Sequence, residues 1–205
     1  MKKLFLSALI AATTLAAGAK SYVIYSGATL GPDDTTGSIT VGSWNHQEYA
    51  DADAPGGKKM GVSSGEWYAE LPCTINPVDA NLVEWLANEN ATLQFYVKTQ
   101  VNGNLNVDLN KISESGTDNI NESYTVTNLN TNQEWRKISL NLRKHFPKFV
   151  EGVKAGDKVE LPKFSGGFGQ YFYLEFADIR IVEGDGDLDQ TARSTVPTPQ
   201  CWRAF

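Results

Sequence analysis

Apolar and polar residues alternate strictly along several stretches of the chain. From Ala91 to Thr99, ATLQFYVKT, the residues Leu93, Phe95 and Val97 take one parity and Gln94, Tyr96 and Lys98 the other. That period of two belongs to a strand with one buried face. Leu105, Val107 and Leu109 repeat it against Asn104, Asn106, Asp108 and Asn110. Between the two lies Val101-Asn102-Gly103, and Asn-Gly is the favoured pair of a tight type I′ hairpin. Glu134 to Leu142, EWRKISLNL, alternates through Ile138, Leu140 and Leu142. The clearest stretch is Tyr171 to Val182, YFYLEFADIRIV, where Phe172, Leu174 and Phe176 oppose Tyr171, Tyr173 and Glu175. After Ala177 and Asp178 the apolar parity moves to Ile179 and Ile181, which predicts a bulge that re-aims the strand.

Shorter runs complete the pattern. Tyr22 to Tyr25 reads as a first strand ended by Ser26-Gly27, and Ser38 to Trp44 alternates through Ile39 and Val41. Asn45 to Gly57 is polar and acidic and ends in Pro55-Gly56-Gly57, which reads as a long loop. Lys58 to Ile75 holds two strand-like pieces parted by Ser63-Ser64-Gly65, and Tyr124 to Leu129 adds another strand. His145 to Lys163 wanders through Pro147, Gly152, Gly156 and Pro162. Only Val78 to Ala87 has helical spacing, with Leu82, Trp85 and Leu86 at i, i+3 and i+4. Short alternating strands, frequent turns and one short helix predict an all-β fold, an antiparallel β-sandwich of jelly-roll type. The cysteine and tryptophan spacing of an immunoglobulin-type sandwich is absent.

The N-terminus changes what counts as the folded chain. Lys2 and Lys3, the apolar run Leu4 to Leu15 and the small-x-small Ala17-Gly18-Ala19 predict a signal peptide over 1–19. A jelly-roll domain over 20–184 and a tail over 185–205 follow. The apolar run is too short to span a bilayer, and no cysteine follows the cut for a lipid anchor. The protein is expected in the periplasm or outside the cell. Loss of Lys2 and Lys3 takes the formal charge from −6 to about −8, which argues against nucleic acid or an anionic membrane as partner and favours a neutral one. Cys73 and Cys201 sit in a chain headed for an oxidising compartment. They either pair, tying the tail to the body, or stay thiols; pairing needs a Cα separation that sequence does not supply.

Candidate chemistry lies on the polar parities. If the strands share one sheet, Gln94, Tyr96, Lys98, Asn104, Asn106, Asp108, Tyr171, Tyr173 and Glu175 form one outward face. Sugars present hydroxyls in the ring plane and C–H groups on its faces, so amides, carboxylates and flat aromatics together suit them. An ordinary solvated sheet face has the same composition. A second set is Trp44, Trp67 and Tyr68, with His46 and Glu48 nearby; the two tryptophans equally suit closure of the core's end. Trp85 and Trp135 read as core residues. Asp185-Gly186-Asp187-Leu188-Asp189 hints at a calcium loop, but Gln190 and Val196 stand where such a loop needs glycine and glutamate. Two histidines, His46 and His145, exclude a multi-histidine zinc site. No G-x-S-x-G, phosphate loop or dinucleotide fingerprint is present, so the chain reads as no enzyme; a hydrolase of the same shape stays open as a third reading, because the separation that a pair of glycosidase carboxylates needs is spatial.

The order of ATLQFYVKT, a second strand, EWRKISLNL and YFYLEFADIRIV resembles the galactose-binding-like jelly roll shared by many carbohydrate-binding modules. There a Leu-x-Phe-x-Val-Lys strand is followed by Trp-x-x-Ile-x-Leu-x-Leu and closes on Tyr-x-x-Phe-x-Asp-Ile-x-Ile. The likeness runs from Tyr22 to Glu183. It implies a secreted, non-catalytic protein holding an oligosaccharide or polysaccharide by stacking and polar contacts, with loop-borne aromatics, Trp67 foremost, as the platform. The alternative is a structural or protein-interaction domain of a bacterial cell-surface assembly, with protein partners and no sugar site. Many relatives hold a structural calcium. Asp178 fits the late ligand position, while Tyr25-Ser26-Gly27 lacks the early acid.

Overall fold

The computed structural model describes residues 20–42, 46–63, 69–100, 102–167, 173–184 and 188–189, with residues 63, 69, 167, 173, 188 and 189 placed by their backbone alone. The strands in chain order are β1 (Ser21–Tyr25), β2 (Ile39–Val41), β3 (His46–Ala50), β4 (Lys58–Ser63), β5 (Ala69–Ile75), β6 (Ala91–Thr99), β7 (Gly103–Ile112), β8 (Ile120–Leu129), β9 (Arg136–Asn141), β10 (Lys158–Gly167), β11 (Tyr173–Glu183) and β12 (Leu188–Asp189). Helices α1 (Ala80–Ala87), α2 (Leu142–His145) and α3 (Pro147–Gly152) interrupt them. Every ladder between these strands is antiparallel.

One sheet has seven strands in the order β12-β9-β6-β11-β4-β3, with β1 also on β11; the other has five in the order β2-β5-β10-β7-β8. This is the expected β-sandwich. The alternating apolar residues point inward from both sheets: Leu93, Phe95 and Val97 of β6 and Leu105, Val107 and Leu109 of β7 are all fully buried. Phe164 of β10 joins the layers. Its ring lies 4.6 Å from Phe95 and stacks on Phe176 of β11 at 4.2 Å. The parity shift in β11 is a bulge, since the register with β6 breaks between Ala177 and Arg180 and Asp178 takes a φ of 47°.

Four local expectations change. β6 and β7 form no hairpin, because β6 pairs with β11 and β9 while β7 pairs with β10 and β8. Both sides of β6 are already taken, so Asn102-Gly103 carries the chain across to the other sheet, and each strand still turns its apolar parity inward. The stretch read as a loop from Asn45 contains the edge strand β3, paired with β4. Leu142, read as the end of a strand, opens α2 and is buried there, and the stretch read as wandering from His145 to Lys163 holds α3, which buries Phe149 and Val150, and the start of β10. Residues 188–189, in the expected tail, pair with β9.

Helix α1 begins at Ala80 rather than Val78 because Asp79 is its cap, accepting a hydrogen bond from the Leu82 N–H at 2.8 Å. The other oxygen of Asp79 accepts from the Tyr22 hydroxyl at 3.1 Å, tying the helix to β1. Trp85 is buried as expected, with Leu82 and Leu86. No helix among the described residues is long and apolar enough to cross a membrane.

Candidate functional site

The outer face of the seven-stranded sheet gathers aromatic and charged side chains in two cross-strand rows. In the first, Glu175 of β11 lies between Lys98 of β6 and Gly61 of β4, and Gly61 faces Gln47 of β3. In the second, Tyr96 of β6 lies between Ala177 of β11 and Lys137 of β9, while Lys59 of β4 faces Tyr49 of β3. Gly61 and Ala177 keep the middle strands low. Lysines and aromatics rise on either side.

Glu175 is the centre of the first row. The residue is only 6% exposed. One carboxylate oxygen is 2.6 Å from Lys59 Nζ and the other 2.9 Å from Lys98 Nζ. A carboxylate so buried needs such compensation to stay charged. Lys59 also reaches Asp51 at 3.0 Å. Burial alone would lower the Lys59 ammonium, but hydrogen bonds to Glu175 and Asp51 outweigh it and hold the group above its usual value. Lys98 Nζ stands 5.0 Å from the ring centroid of Trp135, within cation–π range.

Beside this row opens a hollow of about 130 Å³ lined by Lys98, Thr99, Gln100, Gln133 and Glu175. The Thr131 hydroxyl builds one wall by donating to the Thr99 carbonyl and accepting from the Thr99 N–H, both at 2.9 Å. That double contact pins the turn holding Asn132 and Gln133, whose φ values are 50° and 62°, against the end of β6. Glu175 Oε2 is buried and, among the described residues, takes no well-directed hydrogen bond despite the nearby Lys98 ammonium. Glu175 is among the residues lining the hollow, and a carboxylate beside two amides suits a ligand hydroxyl.

The sequence-derived face divides in two. Tyr96, Lys98 and Glu175 belong to this site. Asn106 and Asp108 are on β7, hence on the outer face of the opposite sheet, where Asn106 accepts from Thr125 at 2.8 Å and Asp108 from Ser165 at 3.2 Å. Parity records which side of a strand is polar; it does not record which sheet the strand enters. Trp44, Trp67, Tyr68 and Tyr171 lie outside the described residues. Tyr173 is placed by its backbone, opposite Ser63.

The structure also places other residues that the sequence singled out. Trp135 is half-exposed on this face rather than in the core. Glu175, read on the outward face, is buried between its lysines. Asp178, the expected calcium ligand, has its Oδ1 bonded to the Arg180 guanidinium, and no group of three or more His, Cys, Asp or Glu among the described residues is placed to hold a metal. Arg180 continues to Ser21 Oγ at 3.3 Å, and Ser21 donates to Asp34 at 2.6 Å. Burial would raise the Asp34 carboxyl, but the Ser21 hydroxyl, the Gly31 N–H and Arg180 together hold it below its ordinary value. Cys73 is a free, wholly buried thiol on β5, pushed up by burial and by the Glu160 carboxylate; Cys201 lies outside the described residues.

Lys59 was available to sequence reasoning, since it alternates with buried Met60 and Val62 across Gly61. Gln100 and Gln133 had no signal, being brought together only by turns. No protein-family model and no curated protein sequence matches the chain. Among solved structures, a family 30 carbohydrate-binding module aligns with a TM-score of 0.52 at 16% identity, covering 77% of this chain and 83% of that one. The chain shares the β-sandwich fold of that module. The family 30 module of a cellulosomal cellulase of Clostridium thermocellum gives 0.51 at 17% identity, covering 82% of this chain and 94% of that one. A structure described as showing promiscuous specificity in carbohydrate-binding modules of the β-sandwich superfamily gives 0.52 at 15% identity, covering 82% of this chain and 64% of its own. At these identities the likeness is one of fold.

Proposed function

We propose that the protein binds carbohydrate without catalysis, on the outer face of its seven-stranded sheet, and does so after export. The observation that carries this reading is the hollow in which buried Glu175 meets Gln100, Gln133 and Lys98 beside the half-exposed Trp135. A sugar's hydroxyls suit the carboxylate and the amides, and its C–H face suits the indole. Tyr49 on β3 and Trp135 before β9 bracket five neighbouring strands, a span of roughly 19 Å at the usual strand spacing. That length favours an extended oligosaccharide lying across the strands over a single sugar. Trp67, Tyr68, Tyr171 and Tyr173 extend the platform in this reading, and Trp44 adds to its rim.

The fold likeness to carbohydrate-binding modules supports the same conclusion. The test is affinity electrophoresis and calorimetry of the chain beginning at Lys20 against plant, host and microbial polysaccharides. A saturable ligand is expected, with Trp135→Ala weakening it roughly tenfold or more through lost stacking and leaving the melting curve cooperative. Binding unchanged in that variant, or no glycan bound, would overturn the proposal.

A further inference from the structure

Resting on that carbohydrate reading, we infer that the recognised sugar carries a carboxylate, a hexuronate unit of an extended polysaccharide, held at a corner formed by Lys98, Lys137 and Trp135. The chain as a whole is acidic, at −6, yet this face inverts that balance. Three lysines, Lys59, Lys98 and Lys137, stand in its two rows, against Glu175 within them and Asp51 at the margin. Their partners differ. Lys59 is saturated, held by both Glu175 and Asp51. Lys98 shares Glu175 with Lys59 and otherwise faces the indole of Trp135. Lys137 has no carboxylate partner among the described residues, and it lies directly across from Tyr96.

The positions converge. Trp135 precedes Lys137 by two residues, so both belong to the outward parity leading into β9, and Lys98 lies diagonally from Lys137 across the β6–β9 ladder. Diagonal neighbours have Cα atoms about 7–8 Å apart, close enough for two flexible lysines to reach one carboxylate. A neutral sugar stacking on Trp135 must displace an ammonium that already covers the ring, and it returns no charge to that ammonium. A hexuronate stacking there pairs the displaced ammonium instead, since its carboxylate bridges Lys98 and Lys137 while its hydroxyls turn to Gln133 and Glu175. Charge-assisted hydrogen bonds of this kind are the stronger ones. The repelling charge of Glu175 is already compensated by Lys59.

The decisive experiment compares polygalacturonate, alginate and glucuronoxylan with the same polymers after chemical reduction of their carboxyl groups, using the full chain from Lys20. The expected result is that at least one acidic polymer binds, that reduction weakens it roughly tenfold to a hundredfold, and that raised salt weakens the acidic form selectively. Lys137→Met, an outward substitution on the sheet surface, is expected to remove most of the difference between acidic and reduced polymer. If a reduced or neutral polymer binds as tightly as the acidic one, or Lys137→Met leaves the difference intact, the inference fails while the carbohydrate reading stands. If no polymer of either kind binds, the carbohydrate reading fails and takes the inference with it.

Discussion

The two outer faces of the sandwich are written in the same alternating code and behave differently. On the five-stranded sheet, the polar parity of β7 is Asn104, Asn106, Asp108 and Asn110, and each of these side chains is paired locally: Asn104 accepts from the Asn128 N–H, Asn106 from Thr125, Asp108 from Ser165, and Asn110 donates to Glu160. On the seven-stranded sheet, the same parity holds Tyr96, Lys98 and Glu175, with Tyr49 and Trp135 at the sides. There the polar groups are charged and share partners unequally, and Lys98 and Glu175 are among the residues lining a hollow. A sheet face whose amides and hydroxyls satisfy one another has little left for a ligand. One that combines aromatic area with incompletely satisfied charge has both components of recognition.

The largest break in this contrast is expected at Glu175. Glu175→Ala leaves two lysines facing each other where a buried ion pair stood, and losing one partner of such a pair costs about 3 kcal/mol or more. With a domain of this size the melting temperature should drop by roughly 6–12 °C, and glycan binding should vanish with it. A melting temperature within a degree of the parent would show that the carboxylate is not the centre of the face. Trp135→Ala comes next. As a half-exposed residue it should cost about 1 kcal/mol of stability while lowering glycan affinity, a separation that calorimetry on the folded variant reads directly.

Smaller again is the effect of acid on the Asp34–Ser21–Arg180–Asp178 chain, which anchors β1 to the same sheet. Asp34 titrates below its unfolded value of about 3.9, so it contributes stability above that pH, and the contribution is lost as pH falls through the folded value. Asp34→Asn should flatten the dependence of the melting temperature on pH below about 5 and leave the neutral-pH slope alone; an unchanged acid limb would dismiss the network's role. The smallest change is expected on the opposite face. Asn106→Ala, which removes one hydrogen bond to Thr125, should shift stability by about 0.5 kcal/mol and leave polysaccharide binding untouched. Loss of binding there would move the site to the five-stranded sheet.

Much of the fold was legible because it depends on local pattern. The bulge at Ala177-Asp178 showed as a slipped parity, the buried faces of β6, β7 and β9 as alternation, and α1 as the spacing of Leu82, Trp85 and Leu86. β3 was hidden because its sequence, HQEYA, is an edge strand with few buried residues and therefore little apolar signal. Asn102-Gly103 misled because turn chemistry specifies a local bend and not the partner of the strand that follows. About the site, sequence named Tyr96, Lys98 and Glu175, whose outward parity is a property of the strand alone.

What the tertiary structure alone decided is company. It sent Asn106 and Asp108 to the far side of the molecule, lifted Trp135 from the expected core to the surface, and brought Lys59, Glu175 and Lys98 together from three strands distant in the chain. Sequence determines the side of a strand on which a residue projects, because successive side chains must alternate. It does not determine which strands lie side by side, because that follows from how all the apolar faces are buried at once. A binding face is made of neighbours across strands, so its chemistry is settled at that second level.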